Sequence, residues 1–321
     1  MRSFVCAREL VGMEEQWDVV VVGGGVAGLS AALMLGRARR RVVVVDAGSP
    51  RNRFADHMHG VLGHEGVEPG ELTRRGRAEA AGYGVEFRTG QVERLDQTGG
   101  GVVVTLTGAG RVSARAAIVA SGLSDDLPDI PGLAEHWGTR VLHCPYCHGW
   151  EVRDRHLGVL ITSPLGPHQA ELIRQWSARV TVFASALDES VQARLRSREI
   201  ELVAEPVVSV ACDTRGDLVV RTARGEVAVD ALFTTGTPRP HDNFLKHLGL
   251  RRADTPFGSF LAVDSLTGRT SSDRIWAVGN VVNPGANVPM SIGAGAAAGG
   301  AVNGALVTQE FDAAHAVPAD S

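Results

Sequence analysis

One stretch of the chain limits its possible folds more than any other. It is WDVVVVGGGVAGLSAALMLGRARRRVVVVD, residues 17–46. The β-branched run at 19–22 predicts a buried strand, and the pattern G-x-G-x-x-G follows it directly. Helical spacing at 27–35 and a second apolar run at 42–45 complete a strand–helix–strand unit that ends in Asp46. This order and spacing predict a dinucleotide-binding βαβ unit.

The three glycines of the pattern each have a physical task. Gly23 permits the tight turn, Gly25 lets backbone approach a pyrophosphate, and Gly28 allows the helix to pack closely on the strand. The helix N-terminus then faces the phosphates, and Asp46 is placed to accept hydrogen bonds from ribose hydroxyls. The alternative, a glycine-rich turn without a ligand, does not account for the flanking strands and the terminal acid.

The remaining sequence continues the alternation of strands and helices. Helical spacing returns at 69–84, and a second strand–turn–helix–strand unit is predicted at 156–185. Further strands are predicted at 85–87, 102–106 and 117–120. The segments LPDIPG and GTPRP, 127–132 and 236–240, are typical of linkers. A small-residue run after Pro289 predicts a close-packed helix, so the fold class is α/β with two Rossmann-like units.

Composition and charge exclude several classes of function. The 321 residues are 44% hydrophobic and 21% charged, as in a globular enzyme. A net charge of −4 argues against nucleic acid or an anionic membrane as partner. No apolar run is expected to cross a bilayer. Residues 1–16 lack the features of a signal peptide, so we interpret them as an N-terminal extension and expect a cytoplasmic protein.

The cysteines point to a site of chemistry. Four are present, too few for a disulfide scaffold. Cys6 and Cys212 are expected to be bystanders, the first a thiol of the N-terminal tail and the second a small hydrophobic residue at the end of a strand. Cys144 and Cys147 lie in HCPYCHGW, 143–150. This string is compatible with a haem anchor, a zinc site, a glutaredoxin motif or a redox dithiol.

Three of these four interpretations meet an objection. Haem attachment through C-x-x-C-H needs export, which the N-terminal sequence does not suggest. A structural zinc ion needs four ligands. The two cysteines and two histidines of this string are too close together in the sequence to surround the ion, so no metal site is predicted. A glutaredoxin would carry CPYC near its start, whereas here the string follows a complete dinucleotide unit. A redox dithiol is favoured, because a helix N-terminus lowers a thiol pKa and creates the attacking thiolate.

Two histidines flank this dithiol. His148 is suited to proton transfer near neutral pH. His143 is a second candidate acid or base, although a structural histidine is the commoner role. Tyr146, Trp150 and Trp137 are candidates for a substrate cleft or for the core.

The order of these features resembles the low-molecular-weight thioredoxin reductase family of flavoproteins. A fingerprint, a linker, C-x-x-C-H-G, a second Rossmann-like unit and a G-N-V segment before a small-residue helix cover about residues 17–306. The resemblance implies a discontinuous FAD domain, 17–126 and 240–321, with an inserted NAD(P)-like domain, 127–239, that carries the dithiol. It also implies FAD as cofactor and a homodimer.

The resemblance further assigns residues to the cofactor. It predicts which residues contact the FAD pyrophosphate, the adenosine ribose and the edge of the flavin, and which residues form the loop over the cofactor. These are Gly23, Gly25, Val26, Ala27, Gly28, Asp46, Ala47, Arg51, Asn52, His59, Val92, Ser121, Gly122, Gly279, Asn280, Pro289, Met290 and Ser291. In the same scheme Cys147 is the flavin-proximal thiol, Cys144 exchanges with substrate, and His148 replaces the usual aspartate.

Three departures from the family pattern bear on the direction of electron flow. The turn TSPLGPHQAE replaces the glycine-rich NADPH turn, and its prolines remove backbone donors. Asp188 and Glu189 stand where cations grip the NADPH 2′-phosphate. CPYCHG and VGN replace the usual C-x-x-C-D-G and G-D.

These departures occur together in the dithiol oxidases of natural-product pathways, the holomycin and gliotoxin type, which the segment CPYCHGWE also resembles. The resemblance implies oxidation of a small-molecule dithiol to an intramolecular disulfide, with electrons passing to FAD and then to O₂, giving H₂O₂. A reductase that uses NADPH or ferredoxin is the alternative enzyme. A flavin-binding redox sensor without turnover is the alternative of another class.

Overall fold

The computed structural model describes residues 16–108, 110–214 and 216–316. The predicted N-terminal extension, apart from Gln16, and the bystander Cys6 lie outside these residues. The first part of the chain contains two helices and six strands. They are β1 (Gln16–Val22), α1 (Val26–Arg37), β2 (Val42–Asp46), α2 (Pro69–Ala81), β3 (Glu86–Thr89), β4 (Val92–Gln97), β5 (Val102–Leu106) and β6 (Arg111–Val119).

The middle of the chain contains ten strands and three helices. They are β7 (Leu123–Asp126), β8 (Val141–Leu142), α3 (Pro145–His148), β9 (His156–Leu160), α4 (Gly166–Ile173), β10 (Arg179–Phe183), α5 (Glu189–Arg196), β11 (Glu201–Val203), β12 (Val207–Cys212), β13 (Leu218–Thr222), β14 (Glu226–Val229), β15 (Ala231–Thr234) and β16 (Thr237–Pro240).

The last part returns to the first sheet. It contains β17 (Arg252–Thr255), β18 (Gly258–Leu261), β19 (Ile275–Ala277) and the long helix α6 (Val288–Ala316). Two short 3₁₀ helices, Asn243–Leu248 and Gly279–Val281, precede β17 and follow β19.

Seven strands form the first sheet, in the order β3-β2-β1-β6-β5-β4, with β19 paired to the end of β6. The strands around β1 are parallel, and their valines are buried because apolar clusters cover both faces of the sheet. The predicted strands at 19–22 and 42–45 and the helix between them are confirmed. The carboxyl ends of β1, β2 and β6 therefore meet at one edge, where a ligand crevice is expected.

Small residues let α6 lie against α1. A side chain at Gly295 would overlap the carbonyl of Ala27, and one at Gly299 would come within 2.8 Å of the Ala31 carbonyl oxygen. The predicted close-packed helix is confirmed. By length and mean hydropathy, 1.3 over eighteen residues, α6 could also cross a membrane. The prediction that no segment has this property is therefore wrong; its alanines and glycines make it both apolar and able to pack closely.

The second sheet has the parallel order β11-β10-β9-β15-β8. An antiparallel sheet of β12, β13 and β14 packs beside it over a shared apolar cluster. The fold class, α/β with two Rossmann-like units, is confirmed.

The two sheets are connected by an antiparallel ribbon of β7 and β16, in which Asp126 pairs with Thr237. The segment 236–240, predicted to be a linker, runs between the two sheets, and its residues 237–240 form one strand of this ribbon. Two prolines are tolerated there because the ribbon has only two strands. The nitrogens of the prolines, which carry no hydrogen, face the outer edge of the ribbon, where no donor is needed. The domain boundaries at 127 and 240 stay predictions.

Candidate functional site

The glycine turn after β1 opens a cleft at the carboxyl edge of the first sheet. Gly23 has φ of +108°, and a side chain there would overlap the carbonyl of Ala120. A side chain at Gly28 would overlap the Gly23 carbonyl, so α1 packs directly on the turn. Gly25 has no neighbour within 4 Å of its Cβ position, and its backbone therefore faces open space.

This cleft has a volume of about 540 Å³. The first turns of α1 and α6 both line it, and neither contains an acidic residue. The N–H groups in the first turn of α1 favour an anionic ligand, whereas in the first turn of α6 Pro289 has no N–H and the Met290 N–H donates to Asn287 Oδ1 over 3.1 Å. Twelve of the eighteen predicted cofactor residues line the cleft: Gly23, Gly25, Val26, Ala27, Asp46, Arg51, Asn52, Ser121, Gly122, Gly279, Asn280 and Ser291.

Asp46 lies at the end of β2, as the fingerprint predicts. Its Oδ1 accepts a hydrogen bond of 3.0 Å from the Gly24 N–H, and its carboxylate lies 2.7 Å from the Cβ position of Gly24. The turn thus fixes the carboxylate at the cleft edge while leaving acceptor capacity for hydroxyl groups.

Six predicted cofactor residues do not line the cleft. Gly28 lies under the turn, and Met290 is half exposed on the first turn of α6. His59 engages two carboxylates instead, as described below. The others are Ala47, Val92 and Pro289. Cofactor roles for all eighteen residues stay predictions.

Other lining residues were missed in the sequence. Gly48, Ser49 and Pro50 follow β2 directly, and the rule that ligands bind at strand carboxyl ends was the available signal. Thr73, Arg74 and Arg77 come from α2, whose polar spacing gave no such signal. The remaining ones are Gly24, Leu29, Gly70, Phe87, Ala120, Leu123, Asn287 and Val288.

The C-x-x-C motif lies at the start of a short helix. Cys144 is the N-cap of α3, and Cys147 lies in its first turn. Both thiols are half-buried and reduced in this structure. The expectation that a helical turn presents the two thiols together is confirmed.

The two thiols differ in acidity. The Cys147 S–H donates to Cys144, and this hydrogen bond, with further ones from the backbone at Cys147 and Tyr146, lowers the pKa of Cys144 to about 7. The same hydrogen bond raises the pKa of Cys147, and burial adds to this effect. The reduced pair therefore carries its first negative charge on Cys144.

Both neighbouring histidines have a buried ring nitrogen. Nδ1 of His143 and Nδ1 of His148 have no hydrogen-bond partner. Burial is the main cause that lowers the pKa of each imidazole. Each ring is therefore neutral near pH 7. The backbone of His143 is held by Gln169, whose Nε2 donates to the His143 carbonyl over 2.8 Å.

Arg51 connects the cleft with the dithiol. Its guanidinium donates to both oxygens of Asp125, at 2.8 and 2.7 Å, and to the Pro284 carbonyl at 2.8 Å. Its charge also lowers the pKa of both thiols and of His143. It lines a second cleft of about 490 Å³, which includes Trp137.

The aromatic residues of the motif do not belong to the core. Tyr146 and Trp150 are 72% and 66% exposed beside the dithiol. Tyr146 meets Trp176 edge to face, with ring centroids 5.5 Å apart, and Arg153 covers the Trp150 ring at 4.0 Å. Cys212 ends β12 as expected, but it is exposed, with Sγ 3.9 Å from Nε2 of His136. Its interpretation as a small hydrophobic residue is therefore wrong.

In the described parts of the chain, no three His, Cys, Asp or Glu side chains are grouped so that they could hold a metal ion.

The chain matches a known protein family and is similar to solved structures. Residues 17–299 match the family model described as pyridine nucleotide-disulphide oxidoreductase. The chain is similar to the crystal structure of HlmI, with a TM-score of 0.89 and 43% identity over 93% of this chain and 95% of that one. It is also similar to an oxidoreductase from Agrobacterium tumefaciens, with a TM-score of 0.86 and 35% identity over 92% and 99% of the two chains.

Curated relatives include fungal proteins. The chain is 30% identical to thioredoxin reductase tcpT of Claviceps purpurea over 88% of its own length and 92% of that protein. It is 36% identical to a probable thioredoxin reductase of Arthroderma benhamiae over 158 residues, which span 39% of that relative's length and 47% of this chain.

Proposed function

Because the chain belongs to the pyridine nucleotide-disulphide oxidoreductase family, as a flavin-dependent oxidoreductase of the thioredoxin reductase type, we propose that it is a dithiol oxidase. Its substrate is a small-molecule dithiol, which it converts to an intramolecular disulfide, and its final electron acceptor is O₂. The segment CPYCHGWE and the similarity to HlmI support this choice within the family.

The cleft of the first sheet fits FAD. Its turn is open at Gly25, its acid Asp46 is fixed for a ribose, and two helix N-termini face the space that a diphosphate would occupy. Asn280 is held against the opposite wall, because its Nδ2 donates to the carbonyls of Asn283 and Ala286. Bound there, FAD would accept two electrons from the dithiol and pass them to O₂, giving H₂O₂.

The proposal depends mainly on the structure of the turn after β9. In family members this turn would bind a nicotinamide cofactor. Thr162 Oγ1 donates to the Thr235 carbonyl at 2.6 Å, and Ser163 Oγ lies 3.0 Å from Thr235 Oγ1. These hydroxyls satisfy one another across the carboxyl ends of β9 and β15, where the ligand crevice of such a sheet lies.

The helix that follows this turn offers a phosphate fewer donors than an ordinary helix N-terminus. The N–H of Gly166 already donates to the Ser163 carbonyl, and Pro167 has no N–H. After the loop that follows β10, Asp188 is the N-cap of α5 and Glu189 is its first residue, and both would repel a 2′-phosphate. These contacts favour electron entry from a dithiol over electron entry from NADPH.

The dithiol chemistry follows from the two thiol acidities. A substrate thiolate attacks Cys144 Sγ in the oxidised enzyme, so the Cys144–Cys147 bond breaks and a mixed disulfide forms. The second substrate thiol attacks the substrate sulfur of that bond, and Cys144 leaves as a thiolate. Its low pKa makes it a good leaving group. Two electrons have then passed from the substrate to the enzyme dithiol.

The proton on Cys147 needs an acceptor before the electrons can leave through this sulfur. We assign this role to His148, which burial keeps neutral near pH 7 and whose Nδ1 has no other partner. The reducing compartment that we propose for the protein, the cytoplasm, leaves substrate thiols available for attack.

An anaerobic experiment tests the proposal. The yellow protein is mixed with dithiothreitol, and separately with NADPH, while the flavin absorbance is followed. Bleaching by dithiothreitol alone, with recovery in air and formation of H₂O₂, is expected. Cys147→Ser should keep the flavin but resist bleaching, whereas Cys212→Ser, a matched change at an exposed cysteine outside the site, should behave as wild type. Rapid bleaching by NADPH would assign the protein to the reductases instead.

A further inference from the structure

His59 lies between two carboxylates that come from different parts of the chain. Its Nδ1 is 2.7 Å from Glu65 Oε1, and its Nε2 is 3.5 Å from Glu151 Oε1. The other Glu65 oxygen accepts from the Gly60 N–H at 2.9 Å. His59 and Glu65 belong to the loop between β2 and α2, whereas Glu151 follows α3.

The arrangement places the imidazole between two acceptors. Carboxylates only accept hydrogen bonds, so Nδ1 of His59 donates to Glu65, while Glu151 lies within ion-pair distance of Nε2. His59 lowers the pKa of Glu65 through its hydrogen bond, which supports an ionised carboxylate on that side. The three side chains therefore form a row of carboxylate, imidazole and carboxylate that ends three residues after His148.

We propose that Glu65, His59 and Glu151 form a bridge that positions the dithiol helix, α3, at the cofactor loop, the segment between β2 and α2, and that adjusts the protonation of His148. His59 is thus a positioning residue of the thiol chemistry. This inference rests on the proposed function for the role of His148, but the bridge itself does not depend on the direction of electron flow.

The electrostatics of His148 support this inference. The groups that face His148 are Cys144, Glu151 and His59. The charge of His148 also lowers the pKa of the neighbouring His143. The groups that face His59 are Glu65, Glu151 and His148. Glu151 raises the pKa of His148, and His59 lowers it. Removal of one bridge member therefore has the opposite effect to removal of the other.

This opposition separates an electrostatic role from a merely structural one. Glu151→Gln should lower the pKa of His148, because a favourable negative charge is lost. His59→Gln should raise it, because the effect of His59 that lowers the pKa of His148 is lost. A bridge that only held the helix in place would loosen in both variants, and the extra exposure of His148 would then raise its pKa in both, since burial is what lowers it.

The titration is followed by NMR of the full-length, FAD-loaded protein with labelled histidine, with the His148 signal assigned from His148→Gln. Shifts of about half a pH unit, downward for Glu151→Gln and upward for His59→Gln, are expected for partly exposed charges. Glu65→Gln, an exposed change that removes the nearer carboxylate of His59, should give a smaller upward shift. His57→Gln, an exposed histidine of the same loop, is the matched control and should give none.

Shifts in the same direction for Glu151→Gln and His59→Gln, or no shift in either, would overturn the proposal. If one of these variants does not fold, Glu65→Gln still decides, because an unchanged His148 titration would contradict the bridge. The pH at which dithiothreitol oxidation reaches half its plateau should move with the titration. Opposed NMR shifts without dithiothreitol oxidation would leave the bridge intact and reject the oxidase function.

Discussion

Arg51 and Asp125 form a two-pronged ion pair between the cofactor loop and the ribbon strand β7. Nε of Arg51 lies 2.8 Å from one carboxylate oxygen of Asp125, and a terminal nitrogen lies 2.7 Å from the other. The Asp125 side chain is only 6% exposed, so the pair is largely removed from water. The position of this ion pair beside both clefts makes it a structural link between the cofactor loop and the dithiol.

Arg51→Gln should lower the free energy of unfolding by about 2 kcal/mol, because it leaves the buried Asp125 carboxylate without its charged partner. Chemical denaturation measures this change. Arg53→Gln is the control: Arg53 is exposed and covers Phe54 at 4.1 Å, so a loss within about 0.5 kcal/mol is expected. Addition of Asp125→Asn to Arg51→Gln should restore part of the loss, and equal losses in both arginine variants would contradict the role of the pair.

The pair of thiols gives a prediction about pH. Cys144 should react with iodoacetamide as a thiolate, with a midpoint near its pKa of about 7 in the reduced protein. Cys147→Ala removes the S–H donor that is the main cause of this low pKa, so the midpoint should move upward. Alkylation of Cys144, followed by peptide mass spectrometry from pH 6 to 10, measures both curves.

Cys212 provides an internal comparison in the same digest, because it is exposed and distant in sequence. Its alkylation curve should be the same in the wild-type protein and in Cys147→Ala. A Cys144 midpoint that did not move in Cys147→Ala would show that the hydrogen bond between the thiols does not set the acidity of Cys144.

The sequence predicted the first βαβ unit well because local and global signals agree there. Valines at 19–22 and 42–45 are buried on both faces of a parallel sheet, and the glycine spacing has a steric cause that the structure shows at Gly23 and Gly28. The dithiol helix was also predictable, since Pro145 at the first helical position and the C-x-x-C spacing lie within one turn.

Other features depend on contacts between distant residues and left no local pattern. His59 was assigned to the flavin by position, whereas its partner Glu151 is separated from it in the sequence by α2, by the strands β3 to β8 and by α3. The strand β16 contains two prolines, and only its pairing with β7 makes it a strand. The exposure of Tyr146 and Trp150 likewise follows from the position of α3 at the surface and not from residue type.

The packing of α6 on α1 gives a prediction about stability. Gly295→Ala should destabilise the protein by about 2 kcal/mol, because the added methyl group would overlap the carbonyl of Ala27 on α1. Gly300→Ala, on an exposed side of the same helix with nothing within 4 Å, should instead gain up to about 1 kcal/mol from helix propensity. Urea unfolding followed by circular dichroism compares the two, and a gain in both variants would mean that the two helices are not in close contact.

The cofactor cleft can be tested without any assay of activity. Gly25 has φ of −72° and ψ of 177°, an extended conformation that valine also adopts, and its Cβ position faces open space. Gly25→Val should therefore fold, at a cost of about 1 kcal/mol for the altered helix cap, while its side chain fills the place where the backbone must approach a diphosphate. We expect FAD to bind at least about tenfold more weakly, measured by flavin fluorescence on reconstitution. Gly23→Val should not fold, because φ is +108° and the side chain would overlap Ala120. A Gly25→Val protein that keeps its yellow colour would show that the cofactor does not contact this turn.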